Sequence, residues 1–193
     1  MMIISNATPL HYLIMIGEVE ILHRMFGQVV IPQAVIVELQ RQETPEVVRR
    51  WISALPSWLE VRAPSVIDPT LKLGAGELEA ISLAQELKAD QILLDDKKAR
   101  KAALERGLSV TGTLTILEAA GELDLIDLPA AINSLRQTNF RAPSPLIEDI
   151  LRRDAERKIS QQGQATTQAT SVAKGDEPTD KRDINLDEEE SDE

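Results

Sequence analysis

Four polar side chains stand after or within apolar runs in positions that could bring them into one pocket. Asn6 follows the run Met2-Ile3-Ile4-Ser5, and Asp95 follows Gln91-Ile92-Leu93-Leu94. Both runs read as buried strands, so both polar residues fall at a strand's carboxyl end. Glu77 opens a strongly periodic helical stretch, and Glu38 sits inside the apolar run from Ala34 to Leu39. Ligands that are all oxygen suit Mg2+ or Mn2+. Carboxylates gathered in one pocket repel each other unless a cation neutralises them. Such a cation can acidify a bound water and stabilise the charge on a phosphodiester under attack. Each residue also has an ordinary structural role open to it. Asp96 suits a helix cap, Glu77 suits a helix N-terminus, Asn6 suits an Asx turn, and Glu38 suits an exposed position near a helix end.

Other chemistries are poorly served. The chain has no cysteine, which removes disulfides and thiolate metal sites and fits a reducing compartment. His11 and His23 are the only histidines, too few for a histidine-bound zinc. No run reaches the roughly 18 apolar residues of a membrane span, and the start lacks a basic leader. The expectation is a cytoplasmic protein with no membrane partner.

The elements that must position these side chains follow from the pattern. Composition shifts near Ser160, where regularly spaced apolar residues give way to Gln, Thr, Ser and then acids. That predicts a folded domain over 1–158 and a disordered acidic tail over 159–193. Ten acidic and three basic residues lie from Ser160 onward, so the tail carries −7 of the −11 net charge. The mildly acidic body requires any nucleic-acid contact to be a local basic patch. Five short apolar runs alternate with helical patterns, predicting strands near residues 2–5, 29–31, 59–61, 91–94 and 109–111. Helices are predicted over 10–25 (two), 32–40, 46–55, 77–87, 97–106, 114–120, 128–137 and 144–158. This alternation implies an α/β doubly wound parallel sheet sandwiched by helices. Sites in such sheets lie at the strands' carboxyl ends, near the switch in strand order.

The basic patch is sought where the site would be. Lys97, Lys98, Arg100 and Lys101 crowd the helix after Asp95 and could guide a phosphate backbone, or simply form a solvated helix face. Arg49 and Arg50 are weaker candidates. Trp51 and Trp58 flank Pro56 and read as core packing or a dimer contact.

Two longer stretches carry a family resemblance. Gly76-Glu77-Leu78-Glu79-Ala80-Ile81 with Leu93-Leu94-Asp95-Asp96 resembles a branch of the PIN-domain superfamily, which includes the VapC toxins. Ser5-Asn6-Ala7-Thr8-Pro9-Leu10 resembles that branch's first motif, and Val110-Thr111-Gly112-Thr113-Leu114 its last; the likeness covers about residues 1–140. It implies a sheet of order 3-2-1-4-5 and a metal-dependent ribonuclease using Mg2+ or Mn2+. Residue by residue, Asn6 falls where the first-strand aspartate usually stands. Glu38, Glu77 and Asp95 match the family's other acids, with Asn6, Glu77 and Asp95 as metal ligands. Thr8 and Thr113 match hydroxyl residues near the metal and phosphate. An Asn at position 6, which the branch often carries, can coordinate a cation but brings no charge, so metal affinity should be lower.

Two functions follow from the resemblance. One is a metal-dependent endoribonuclease, including the toxin of a toxin–antitoxin pair, with RNA as substrate, an antitoxin-type protein partner and a homodimer as further expectations. The other is a PIN-fold module that binds RNA or protein without cutting. A receiver-like fold is a third reading, and strand order 2-1-3-4-5 would mark it.

Overall fold

The computed structural model describes residues 1–68 and 70–173. The chain divides into two units, Met1–Asp154 and Ala155–Glu193. The first unit holds a five-stranded sheet: β1 (Ile3–Ser5), β2 (Val29–Pro32), β3 (Leu59–Arg62), β4 (Gln91–Leu93) and β5 (Val110–Thr111). All four pairings are parallel and the order is β3-β2-β1-β4-β5. That is the order the family resemblance implies, and it differs from the receiver-like 2-1-3-4-5.

The side-chain period of a strand explains the layers. Ile3, Val29, Ile31 and Leu93 point into one core, and Ile4, Val30, Ile92 and Leu94 into the other. Both faces are therefore covered, as a parallel sheet requires. The first core is closed by α1 (Ala7–Met15), α2 (Ile21–Phe26), α3 (Gln33–Leu39), α4 (Glu46–Ile52), α7 (Thr113–Glu122) and α8 (Leu128–Arg136). The second is closed by α5 (Ala75–Glu86) and α6 (Lys97–Leu104), largely through their alanines and Ile81 and Leu83. Trp58 is buried in the first core with Trp51 packed against it, the rings 5.9 Å apart.

Helix starts differ from the sequence pattern at two places that matter for the site. The first helix begins at Ala7 rather than Leu10, with Pro9 as its third residue. Proline is tolerated there because the first-turn N–H groups have no partner within the helix. The fifth begins at Ala75 rather than Glu77, with Gly74 as cap, so Gly76 lies inside it. Glu77 reaches back to accept the Gly74 N–H at 3.1 Å, half of a capping box. Asp96 caps α6 as expected, accepting from the N–H groups of Lys98 and Ala99 at 2.8 and 2.9 Å.

The closing helix α9 runs Ser144–Ala173, past the end near 158 that composition predicts. Ile147 and Ile150 seat it in the first core. Of the predicted tail, residues 174–193 lie outside the described residues. No helix among the described residues is long and apolar enough to cross a membrane.

Candidate active site

β1 lies between β2 and β4, where the order reverses, and the chain leaves it through Asn6. The Asn6 N–H donates to the Leu93 carbonyl at 3.1 Å, which fixes the residue at the sheet's edge. Asn6 occupies the cap position of α1 with extended backbone, yet its side chain makes no capping bond. Its side chain is buried, and Oδ1 has no hydrogen-bond partner among the described residues. A buried acceptor without a donor costs on the order of 1–3 kcal/mol. The Asx-turn reading therefore fails, and Asn6 lines a cavity instead.

That cavity, about 460 Å³, is lined by Asn6, Thr8, Glu38, Arg41, Gly76, Glu77 and Glu79, among others. Gly76 makes it possible. A Cβ at Gly76 would lie 2.8 Å from Glu38 Oε2 and 3.0 Å from Asn6 Oδ1. The two oxygens thus flank one point, kept open by the missing side chain. Glu79 also lines it, accepting the Ala34 N–H at 3.0 Å and so satisfying a free donor at the start of α3, the helix that carries Glu38.

Glu77 has its pKa raised, first by burial and further by the charges of Asp96 and Glu38; the Gly74 N–H and Lys98 oppose the rise. Asp95 is likewise raised by burial, against two bonds from Thr113 and the charge of Arg100. The Thr113 N–H reaches Asp95 Oδ1 at 2.9 Å and its hydroxyl donates to Oδ2 at 2.6 Å. Asp95 is not among the residues lining the cavity. It sits just past the end of the adjacent strand, one residue after Leu94, whose N–H donates to the Thr111 carbonyl at 2.9 Å.

The structure thus joins Asn6, Thr8, Glu38 and Glu77 in one cavity and sets Asp95 and Thr113 beside it as a pair. Among the described residues, no three His, Cys, Asp or Glu side chains are gathered closely enough to hold a metal ion. Of the expected ligand set, Asn6 and Glu77 line the cavity and Asp95 does not; Glu38 does. The oxygen donors at Asn6, Glu38 and Glu77 do fit a hard cation, because an unpaired buried amide oxygen facing a carboxylate calls for positive charge.

The expected phosphate patch divides. Lys97, Lys98 and Lys101 are exposed, Lys101 lying 3.8 Å from Glu105. Arg100 turns inward: its Nη1 donates to the Leu94 carbonyl at 2.9 Å and lies 2.9 Å from where a Gly112 Cβ would be. It steadies the strand end that carries Asp95 and is not a free surface cation. Thr113 is fully buried. Sequence reasoning missed Gly76, Glu79 and Arg41. The first two lie inside the Gly76-Glu77-Leu78-Glu79 motif, but the pattern sets Gly76 just ahead of the helix over 77–87.

Residues 2–156 match the sequence model of a family described as DUF3368: PIN domain. Among solved structures, the chain is similar to a PilT N-terminus domain protein from the hyperthermophilic archaeon Sulfolobus solfataricus P2. That likeness is 16% in identity with a TM-score of 0.40, covering 74% of this chain and 100% of that one. No curated protein matches the chain.

Proposed function

Since the chain belongs to the PIN-domain family, we propose that it is a divalent-cation-dependent endoribonuclease. PIN domains are commonly nucleases, generally use divalent metal ions, often bind RNA and pair with antitoxins. In this reading Asn6, Glu38 and Glu77 hold Mg2+ or Mn2+, with Asp95 completing the set from the neighbouring strand end. The cation would supply an activated water and charge stabilisation at the phosphodiester. The protein's own share is positional. Gly76 keeps the space between Asn6 and Glu38 open. Thr113 fixes both oxygens of Asp95, and Thr8 lines the approach. Lys97, Lys98 and Lys101 offer exposed charge along the helix that follows Asp95.

The observation that carries this reading is the unpartnered, buried Oδ1 of Asn6 beside the Glu38 carboxylate. A buried acceptor with no donor, next to a carboxylate, favours the entry of something positive. The test is incubation of purified protein with single-stranded and structured RNAs in Mn2+, alongside an Asp95→Asn variant. Cleavage by the parent that the variant lacks supports a nuclease.

A second reading is a PIN-fold module that binds RNA or a protein without cutting. It is favoured by the neutral Asn6 and by the absence of three gathered carboxylates among the described residues. Folded parent protein that cleaves no RNA in Mn2+ would decide for it. The toxin role belongs to the first reading, and a neighbouring gene encoding a small antitoxin would support it. A homodimer is a separate proposal, to be read from the mass in solution.

A further inference from the structure

A second cavity, about 600 Å³, adjoins the first. Both are lined by Thr8, Glu38 and Arg41, so the two form one continuous trough. Its far end is built by His11 and Tyr12 of α1 and by Gln137 and Asn139 just beyond α8. A volume of several hundred cubic ångströms is that of a site for one small organic group.

The lining has the chemistry of a nucleotide's parts. Tyr12 packs edge-on against Phe140 at 4.8 Å and against His11 at 5.0 Å, giving a braced aromatic wall. The Tyr12 hydroxyl donates to Asn139 Oδ1 at 3.1 Å, which fixes the amide and leaves its N–H groups uncommitted among the described residues. Unpaired bases are read by such groups: a ring face for stacking, amides for the hydrogen-bonding edges. Arg41 is exposed at the junction of the two cavities and its side chain makes no ion pair or hydrogen bond among the described residues. Arg49 Nε donates to the carbonyl of Thr44, another lining residue, at 3.0 Å. Burial and the charge of Asp95 raise the Tyr12 pKa, and the charge of Arg141 opposes them. Glu38 and Glu43, with Glu77 and Glu79 at the first cavity, also line the trough, so it is not a channel for a long polyanion. It suits one nucleotide whose phosphate meets a single guanidinium.

We propose that this second cavity is a subsite for one unpaired ribonucleotide next to the phosphate handled at Asn6 and Glu38. Arg41 binds the intervening phosphate, and the His11–Tyr12 wall with Gln137 and Asn139 takes the base. The proposal rests on the nuclease reading for its polarity, but it is tested by binding alone. The arginine here lies on the α3 side of the site, away from the lysines after Asp95.

The experiment is fluorescence anisotropy of a labelled, mixed-sequence, single-stranded oligoribonucleotide in EDTA, so that no cleavage intervenes. The full chain is compared with Arg41→Gln, Gln137→Ala and, as control, Lys88→Gln just beyond the far end of α5; thermal melts confirm folding. Arg41→Gln is expected to raise Kd at least about fivefold and to flatten the dependence of log K on log salt by about 0.7, one phosphate contact's worth on a single strand. Gln137→Ala is expected to raise Kd about threefold, and the control to leave it unchanged. Absence of RNA binding by the parent, or variants that bind as the parent does, overturns the subsite. Weakened variants together with a parent that never cleaves in Mn2+ would sink the nuclease reading and leave the subsite standing. Cleavage by the parent with unaltered variant binding would do the reverse.

Discussion

Placing a methyl group at position 76 tests the heart of the site. In Gly76→Ala the new Cβ would stand 2.8 Å from Glu38 Oε2 and 3.0 Å from Asn6 Oδ1, where ordinary contact begins at 3.4 Å. The shortfalls are about 0.6 and 0.4 Å. Glu38 has a long side chain and can swing away; Asn6 is buried at a backbone position tied to Leu93 and can yield little. The helix itself gains, since alanine is favoured over glycine in a helix interior by about 0.5–1 kcal/mol, and by less at its second residue. Overpacking strain of about 1–3 kcal/mol outweighs that gain, so the melting temperature should fall by a few degrees. Cation binding has no such offset, because the displaced oxygens are the donors. Octahedral coordination by oxygen tolerates displacements of only a few tenths of an ångström, so the Kd for Mn2+ should rise at least about tenfold, or about 1.4 kcal/mol. Titration calorimetry with Mn2+ measures this directly. Gly74→Ala is the internal control: its Cβ would meet Glu77 Oε2 at 3.6 Å, an ordinary contact, and affinity should hold. Equal Mn2+ affinity in the parent and Gly76→Ala would refute the idea that the space over Gly76 is where the cation sits.

Other substitutions probe the remaining parts. Asn6→Asp puts a buried charge beside the half-buried Glu38; it should lower the melting temperature without metal. With Mn2+ at about a hundred times its Kd the variant should recover about 2.7 kcal/mol, and it should bind the ion more tightly than the parent. Thr113→Val keeps the volume but removes the hydroxyl that donates to Asp95, costing about 1.5–3 kcal/mol in chemical denaturation. Asp68 is held down to about 2 by bonds from Thr70 and Arg106. A carboxylate with a depressed folded-state pKa contributes stability above its unfolded value near 3.8 and loses it as pH falls towards 2. Asp68→Asn should therefore be less stable than the parent at neutral pH and match it near pH 2, as read by denaturation midpoints across that range.

Much of the frame was legible because period and burial agree. The runs at Ile3-Ile4-Ser5 and Val29-Val30-Ile31 are apolar on both faces, which only a sheet covered on both sides allows, and they became β1 and β2. Asp96 before Lys97 was readable as a cap, and it is one. The pairing of Asp95 with Thr113 spans 18 residues of sequence and depends on β4 lying beside β5, so local pattern alone could not reveal it. Gly76 was misread because glycine near a helix start signals a boundary; what fixes it inside the helix is the capping contact of Glu77 with Gly74. Arg100 looked like one more surface cation, and only the carbonyl of Leu94 shows where its charge is used. The trough at His11, Tyr12 and Asn139 gathers segments more than a hundred residues apart and leaves no trace in periodicity.

The strand order has one more consequence. The sheet has a seam between β1 and β4: the strands before the loop at residues 63–74 lie on one side of the seam and those after it on the other, while α5 crosses back to pack on β1, β2 and α3. Asn6, Glu38 and Arg41 belong to the first side; Gly76, Glu77, Asp95 and Thr113 belong to the second. A chain cut in that loop yields two halves, each with its own strands and neither with a site. Function would return only when β1 of one half finds β4 of the other and α5 settles back across β1 and β2, so a two-piece version of the protein would be held together by that helix as much as by the sheet.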